Sequence, residues 1–213
     1  MNNKIYLAVE FTLLCLLIPA IILFYSLANY MFIFLWSVAL YCVFIYRRFF
    51  YVNWKTVWKW EAVNWSNLKP ILIRWAISSF AMVLIIIFYD GEKLFHIFHH
   101  RPEIIPILIF VYPILSALPQ EFIFCSFFFK RYQVFFGKDK MMIVVSALVF
   151  AWAHVLYINP IAPVVSLFGG LIFAHTFYKS RSLALITLEH GLYGNSLFLS
   201  GLGYYFFSGA VAG

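Results

Sequence analysis

Leu118-Pro-Gln-Glu-Phe-Ile-Phe-Cys-Ser-Phe-Phe-Phe129 sets a single acid, Glu121, in an apolar run that meets no other charge until Lys130. A carboxylate in hydrocarbon is costly, and an ionisable group kept there marks a functional site by default. Two histidines sit in similar surroundings, His154 closing Phe150-Ala-Trp-Ala-His154 and His190 within Leu188-Glu-His-Gly-Leu192. Carried on separate helices, the acid and the two imidazoles are expected to meet in one pocket.

Working outward, the 213 residues are 65% hydrophobic and only 11% charged, against about 25% charged in soluble domains. That excludes a soluble core with a polar shell and predicts an all-α fold, a polytopic transmembrane helical bundle of seven or eight helices. The net charge of +7 is explained by Lys and Arg gathering on cytoplasmic loops. No basic stripe stands outside the apolar segments, so nucleic acid is not an expected partner. Cys15, Cys42 and Cys125 all lie in apolar stretches, without metal-ligand spacing or a disulfide framework, and read as small buried hydrophobes.

Apolar runs between charges place spans near Ile5–Tyr25, Tyr30–Tyr46, Trp75–Tyr89, Ile104–Phe129, Met141–Tyr157, Ile161–Tyr178 and Leu183–Phe207. Lys4 and Ser26-Leu-Ala28 imitate a signal peptide, but the first run has spanning length rather than signal length. The fourth run contains Pro106, Pro113 and Pro119 and is either one kinked helix or two helices broken near Pro119. Seven crossings with a cytoplasmic N-terminus put Lys4, 47–74, 130–140 and Lys179–Arg181 on one side, which favours the unbroken helix. The expected organisation is a single integral membrane domain over 1–213. It has an interfacial connector near 47–74, where Trp54, Trp58, Lys55 and Lys59 suit a helix on the headgroups, and a core near 104–209. A bacterial inner (cell) membrane is the expected location.

Several residues suggest chemistry. Glu121 can serve as a general base, with Cys125 one helical turn beyond it. An acid and an imidazole suffice to activate water, and a second imidazole can donate to a developing oxyanion. Glu121, His154 and His190 are also a donor set for a divalent metal such as zinc, so metal-free and metal-dependent sites both stand open. His96, His99 and His100, beside Glu92 and Glu103, read as an amphipathic surface loop near Arg101-Pro102. His175 follows Gly169-Gly170 and reads as an interhelical hydrogen-bonding group beside closely packed helices. Glu189 is placed to pair with a cation or assist the site, and Glu10 to reach the interface. There is no His-Glu-x-x-His zincin signal and no Gly-x-Ser-x-Gly elbow, which counts against zincin-type and α/β-hydrolase-type chemistry.

The order Glu121, then Phe150-x-x-x-His154, then His190 followed by Asn195 resembles the CPBP family of intramembrane proteases, the CAAX protease and bacteriocin-processing or Abi group. The resemblance covers about Val111 to Gly209. It implies an intramembrane endopeptidase in which a Glu and the first His activate water while the second His and an Asn steady the oxyanion. Carried over by position, the family's paired acids fall on Gln120 and Glu121, its Arg on Cys125, its histidines on His154 and His190, and its Asn on Asn195. The implied catalytic set is therefore Glu121, His154, His190, Asn195 and Gln120, acting on a membrane-associated peptide or protein.

Three positions depart from the pattern. Gln120 takes no proton, so Glu121 has to serve, with Gln120 as an orienter. Cys125 supplies no cation to pair with the acid. Asn195 lies five residues after His190 rather than four, rotated by about 140° on a regular helix, unless Gly191 and Gly194 allow a local distortion. These departures sustain a second reading, a catalytically silent homologue acting as a membrane peptide-binding or immunity protein. A proton-coupled transporter is a third, without the inverted repeat that would support it.

Overall fold

A computed structural model describes residues 3–206. Phe207, at the end of the seventh predicted span, and the rest of the predicted core up to 209 lie outside the described residues. Those described are overwhelmingly helical, with no strand among them. The protein is a polytopic membrane bundle.

Ten helices carry the architecture. They are α1 (Lys4–Phe24), α2 (Ala28–Phe49), α3 (Trp54–Trp58), α4 (Trp65–Asp90), α5 (His96–His100), α6 (Pro102–Phe110), α7 (Pro113–Arg131), α8 (Lys140–Tyr157), α9 (Ile161–Ser180) and α10 (Leu183–Ser200). Of these, α1, α2, α4 (run on through α5), α8 and α9 are long and apolar enough to cross a membrane, and α6 and α7 are so only when taken together, as a pair bent by 50°. Large apolar side chains such as Phe24, Phe44, Phe80, Phe88 and Phe168 are exposed, whereas Glu10, Glu121, Glu189 and His190 are buried. This inversion of a soluble protein's pattern is what a hydrocarbon solvent selects.

Helix ends follow local chemistry. The Asn53, Asn64 and Ser182 side chains each accept a backbone N–H of the helix they precede, the ordinary N-cap role. At the end of α10, Gly201 adopts φ 109°, and an added Cβ would lie 2.0 Å from the Lys93 carbonyl oxygen. Only glycine fits both the dihedral and the approach.

The fourth predicted span is bent at Val111–Tyr112, not broken near Pro119. The reason lies in the π-helical turns of α7, at Pro113–Ala117 and Phe122–Phe127. The first widens the helix just ahead of Pro119, where the missing proline N–H and the ring would otherwise disrupt it. Alpha1 has a π turn of its own at Thr12–Leu17. Each of these turns shifts the hydrogen-bond ladder, and each has one carbonyl taken by a side chain of another helix. Trp152 Nε1 donates to Leu16 O (3.1 Å), Trp36 Nε1 to Leu115 O (3.0 Å) and Ser146 Oγ to Phe124 O (2.6 Å). With no water in the bilayer core, such partners are what make an irregular helix tolerable.

Other boundaries differ from the sequence reading as well. Residues 65–74, assigned to the connector, form the first turns of α4. Alpha3 stops at Trp58 because Lys59 turns left-handed at φ 47°. Lys55 and Lys59 therefore do not share a helix face, and Lys59 instead donates to Ser180 O at 2.7 Å. Glu10 does not reach the interface. It is 4% exposed and accepts two bonds of 2.8 Å from Arg131, with Tyr41 and Tyr132 also donating to it. The three cysteines are buried and unpaired.

The ends of α2, α7 and α9 gather with α3 at one end of the bundle. Arg47 lies over Trp54, Lys130 over Phe50 and Arg181 over Phe129 and Phe177. Of all the Lys and Arg residues in the chain, only Lys93 and Arg101 belong to the opposite end, where Phe95 N bonds Ser200 O. Alpha10 runs between these ends, its residues mostly buried, and is not one of the long apolar spans. A helix enclosed by others can carry Thr187, Glu189, His190 and Asn195, because it meets little lipid.

Candidate active site

Glu121 lies on α7 between the two π turns, a feature that often accompanies functional positions in helices. Its side chain is 1% exposed, and Oε1 lies 2.7 Å from Nδ1 of His190 on α10. The sequence reading pairs Glu121 with His154, but the structure gives it to His190. A carboxylate can only accept, so Nδ1 of His190 carries a proton and donates. The second oxygen, Oε2, has no hydrogen-bond partner.

His190 is held on every side. Phe173 stacks on the ring at 4.6 Å and 12°, and Phe150 meets it edge-on at 5.8 Å. The hydroxyl of Tyr112 lies 3.0 Å from Nε2. Carboxylate, imidazole and phenol thus form a continuous chain from Glu121 through His190 to Tyr112. Tyr112 reaches this place because α10 has glycine there: a Cβ on Gly194 would lie 2.3 Å from the phenol ring, and one on Gly191 would lie 3.0 Å from Pro113. The two glycines admit α7 to α10 and do not distort α10, which is continuous from Leu183 to Ser200.

His154 lies near the end of α8, between its regular α-helical part, which ends at Trp152, and a closing 3-10 turn at Val155–Tyr157. Its Nδ1 lies 2.7 Å from the Phe150 carbonyl oxygen, which requires an N–H there and leaves the Nε2 lone pair free in the neutral ring. Phe150 bridges the two histidines, 4.6 Å from His154 and 5.8 Å from His190 by ring centroids. Alpha8 brings Phe150 this close to α9 because Gly170 lets it approach: a Cβ there would lie 3.0 Å from Ala147 and 3.2 Å from Phe150.

His154, His190, Tyr112 and Gln120 share the wall of a largely apolar cavity of about 690 Å³, to which α1, α2, α4, α8 and α9 contribute apolar side chains. Glu121 and Asn195 are not on that wall. Glu121 stands behind His190, and Asn195 has a buried Oδ1 without a partner, rotated away as its spacing requires. The Gln120 amide nitrogen donates to Ser116 at 2.9 Å, and its oxygen is unpartnered. Next to His190 on α10, Glu189 is wholly buried and bound by Arg74 at 2.8 Å, with Arg74 also donating to Thr176.

Tyr112 and Arg74 were not singled out from sequence. Tyrosine is frequent in this chain, and the complementary Gly194, one turn beyond His190, is the one mark of Tyr112 in the sequence. Arg74 stood among connector residues. His175 proves exposed rather than bonded between helices, and His96 stacks on His100 at 3.9 Å near the far end. The residues present do not fit a divalent metal such as zinc. Among the described residues no group of three His, Cys, Asp or Glu side chains is disposed to hold an ion, and both nitrogens of His190 are already engaged.

Residues 102–195 match the family model described as type II CAAX prenyl endopeptidase Rce1-like. This part of the chain is Rce1-like, similar to the CPBP family. That match spans α6 to most of α10, including Glu121, His154, His190 and Asn195. The family resemblance drawn from those residues is thereby borne out, and the matched segment is similar to a family of CAAX-type membrane proteases. The helices that complete the cavity wall, α1, α2 and α4, lie outside the Rce1-like segment. No curated protein matches the chain, and no solved structure does.

Proposed function

We propose that the protein is an active intramembrane endopeptidase that hydrolyses a peptide bond of a membrane-associated, prenylated substrate whose lipid lies in the apolar cavity. The observation that carries this is the convergence of His154, His190 and Tyr112 on one wall, with Glu121 behind His190.

The geometry redistributes the roles implied by family position. Nε2 of His154, free while Nδ1 is tied to Phe150, takes a proton from water as the hydroxyl oxygen adds to the scissile carbonyl. His190, protonated and backed by the Glu121 carboxylate, donates from Nε2 to the Tyr112 oxygen. The Tyr112 O–H is then free to donate to the oxyanion. Collapse of the intermediate returns the proton on His154 to the leaving amine. Gln120 offers its unpartnered carbonyl oxygen to the water or to a substrate N–H. Glu121 is a positioning residue on this reading, and Asn195 has no role in it. No step uses a metal, so chelation is expected to leave turnover unchanged.

The test is turnover of a farnesylated peptide by protein reconstituted in vesicles. His154→Ala and His190→Ala each lower kcat by about 10²–10⁴-fold. Glu121→Gln lowers kcat with KM unchanged, and adds nothing in a His190→Ala background, whereas a purely structural role for Glu121 would be additive. Unchanged turnover in all three single variants overturns the assignment.

One observation favours a second reading, a silent homologue that binds a membrane peptide. The acid position on the cavity wall is the amide of Gln120, and Tyr112 occupies Nε2 of His190. Binding of the farnesylated peptide without cleavage supports that reading.

A further inference from the structure

A second recess, of about 660 Å³, lies on the outside of the bundle between α4, α8 and α9, away from the cavity above. Arg74, Lys140, His175 and Lys179 line it, and no carboxylate does. Lys140 opens α8 and Lys179 is the penultimate residue of α9, so the charges crowd where this antiparallel pair reaches the basic end of the bundle. Lys179, Arg74 and Lys140 all act electrostatically on the His175 ring. Four cationic or protonatable groups from three helices thus face one another.

Among the described residues neither Lys140 nor Lys179 has an ion-pair partner. Arg74 gives Nη2 to Glu189 and Thr176, while its Nε is buried without a partner. Glu189 balances Arg74, but among the described residues nothing balances Lys140 and Lys179. Like charges brought together repel, and an anion relieves that repulsion. The remaining wall is apolar, with Ile143, Val144, Leu171 and Ile172 below the charges. Val144 is itself exposed on the outer surface of α8.

A recess with a cationic rim and an apolar wall continuous with the membrane face matches a molecule that is anionic at one end and hydrocarbon at the other. Basic pockets between membrane helices bind anionic lipid headgroups on this principle. We propose that an anionic phospholipid seats its phosphate among Arg74, Lys140, His175 and Lys179, with an acyl chain along Ile143 and Val144. The site reaches the protease-like centre through Arg74, which also holds Glu189 next to His190.

Purified protein in detergent is titrated with dioleoylphosphatidylglycerol, dioleoylphosphatidylcholine or inorganic phosphate, and bound molecules are counted by native mass spectrometry. Phosphatidylglycerol is retained over phosphatidylcholine, and Lys140→Gln/Lys179→Gln lowers that retention about tenfold, as loss of two headgroup charges should. Val144→Trp, which fills the apolar wall and keeps every charge, also lowers it. Equal retention of the two lipids, or retention unchanged in both variants, overturns the proposal. So does displacement of the lipid by millimolar inorganic phosphate, which assigns the recess to a soluble anion.

Discussion

At the scale of residues, Tyr112 is the most consequential finding. Its hydroxyl stands 3.0 Å from His190 on the cavity wall, where a donor can meet an oxyanion. Tyr112→Phe removes the donor and keeps the ring that fills the space beside Gly194. We expect kcat to fall by about 10²–10³-fold, the usual cost of losing one oxyanion donor, with KM and the melting temperature of the purified protein unchanged. Unaltered kcat would remove Tyr112 from the chemistry. Glu121, His154 and His190 were legible in the sequence because ionisable groups in hydrocarbon stand out against their neighbours. Their pairing was not legible. Which imidazole meets the carboxylate depends on the rotation imposed by two π turns, and nothing in the pattern of apolar residues announces those turns. Glu10 misled for the same reason: its partner Arg131 is distant in the chain, and a lone acid near a helix start looks as though it reaches the headgroups.

At the scale of elements, the helices themselves were largely readable, since lipid-facing spans must be long and apolar. Alpha10 was legible as a helix, but its enclosed position makes it more polar than the others and it is not one of the long apolar spans. The bend at Val111–Tyr112 was misplaced, because three prolines compete to explain it and the one at 119 is absorbed by the widened turn before it. Irregular turns of this kind persist in a membrane only with outside partners for their carbonyls. Ser146→Ala leaves the Phe124 carbonyl of the second α7 π turn unpaired in a dry interior. We expect this to destabilise the bundle by about 1–3 kcal/mol, read as a lowered unfolding midpoint of the detergent-solubilised protein. An unchanged midpoint would mean that the π turn does not depend on this bond.

At the scale of the whole molecule, the uneven distribution of Lys and Arg between the two ends predicts the orientation. Basic loops stay in the cytoplasm, so Lys138 belongs inside and Glu92 outside. The native thiols are buried, which allows single cysteine reporters. A membrane-impermeant thiol reagent is expected to label Glu92→Cys in intact cells and Lys138→Cys only after permeabilisation, and the reverse pattern would invert the topology. On the predicted orientation the basic end, with the proposed lipid site, faces the cytoplasmic leaflet.

The account stands most directly on whether the side chains present suffice for hydrolysis. The deciding measurement compares cleavage of a farnesylated peptide by the unmodified protein with cleavage by Gln120→Glu/Cys125→Arg, which restores both family residues. The account predicts cleavage by the unmodified chain, abolished by His154→Ala. Cleavage seen only in the restored double variant would contradict it.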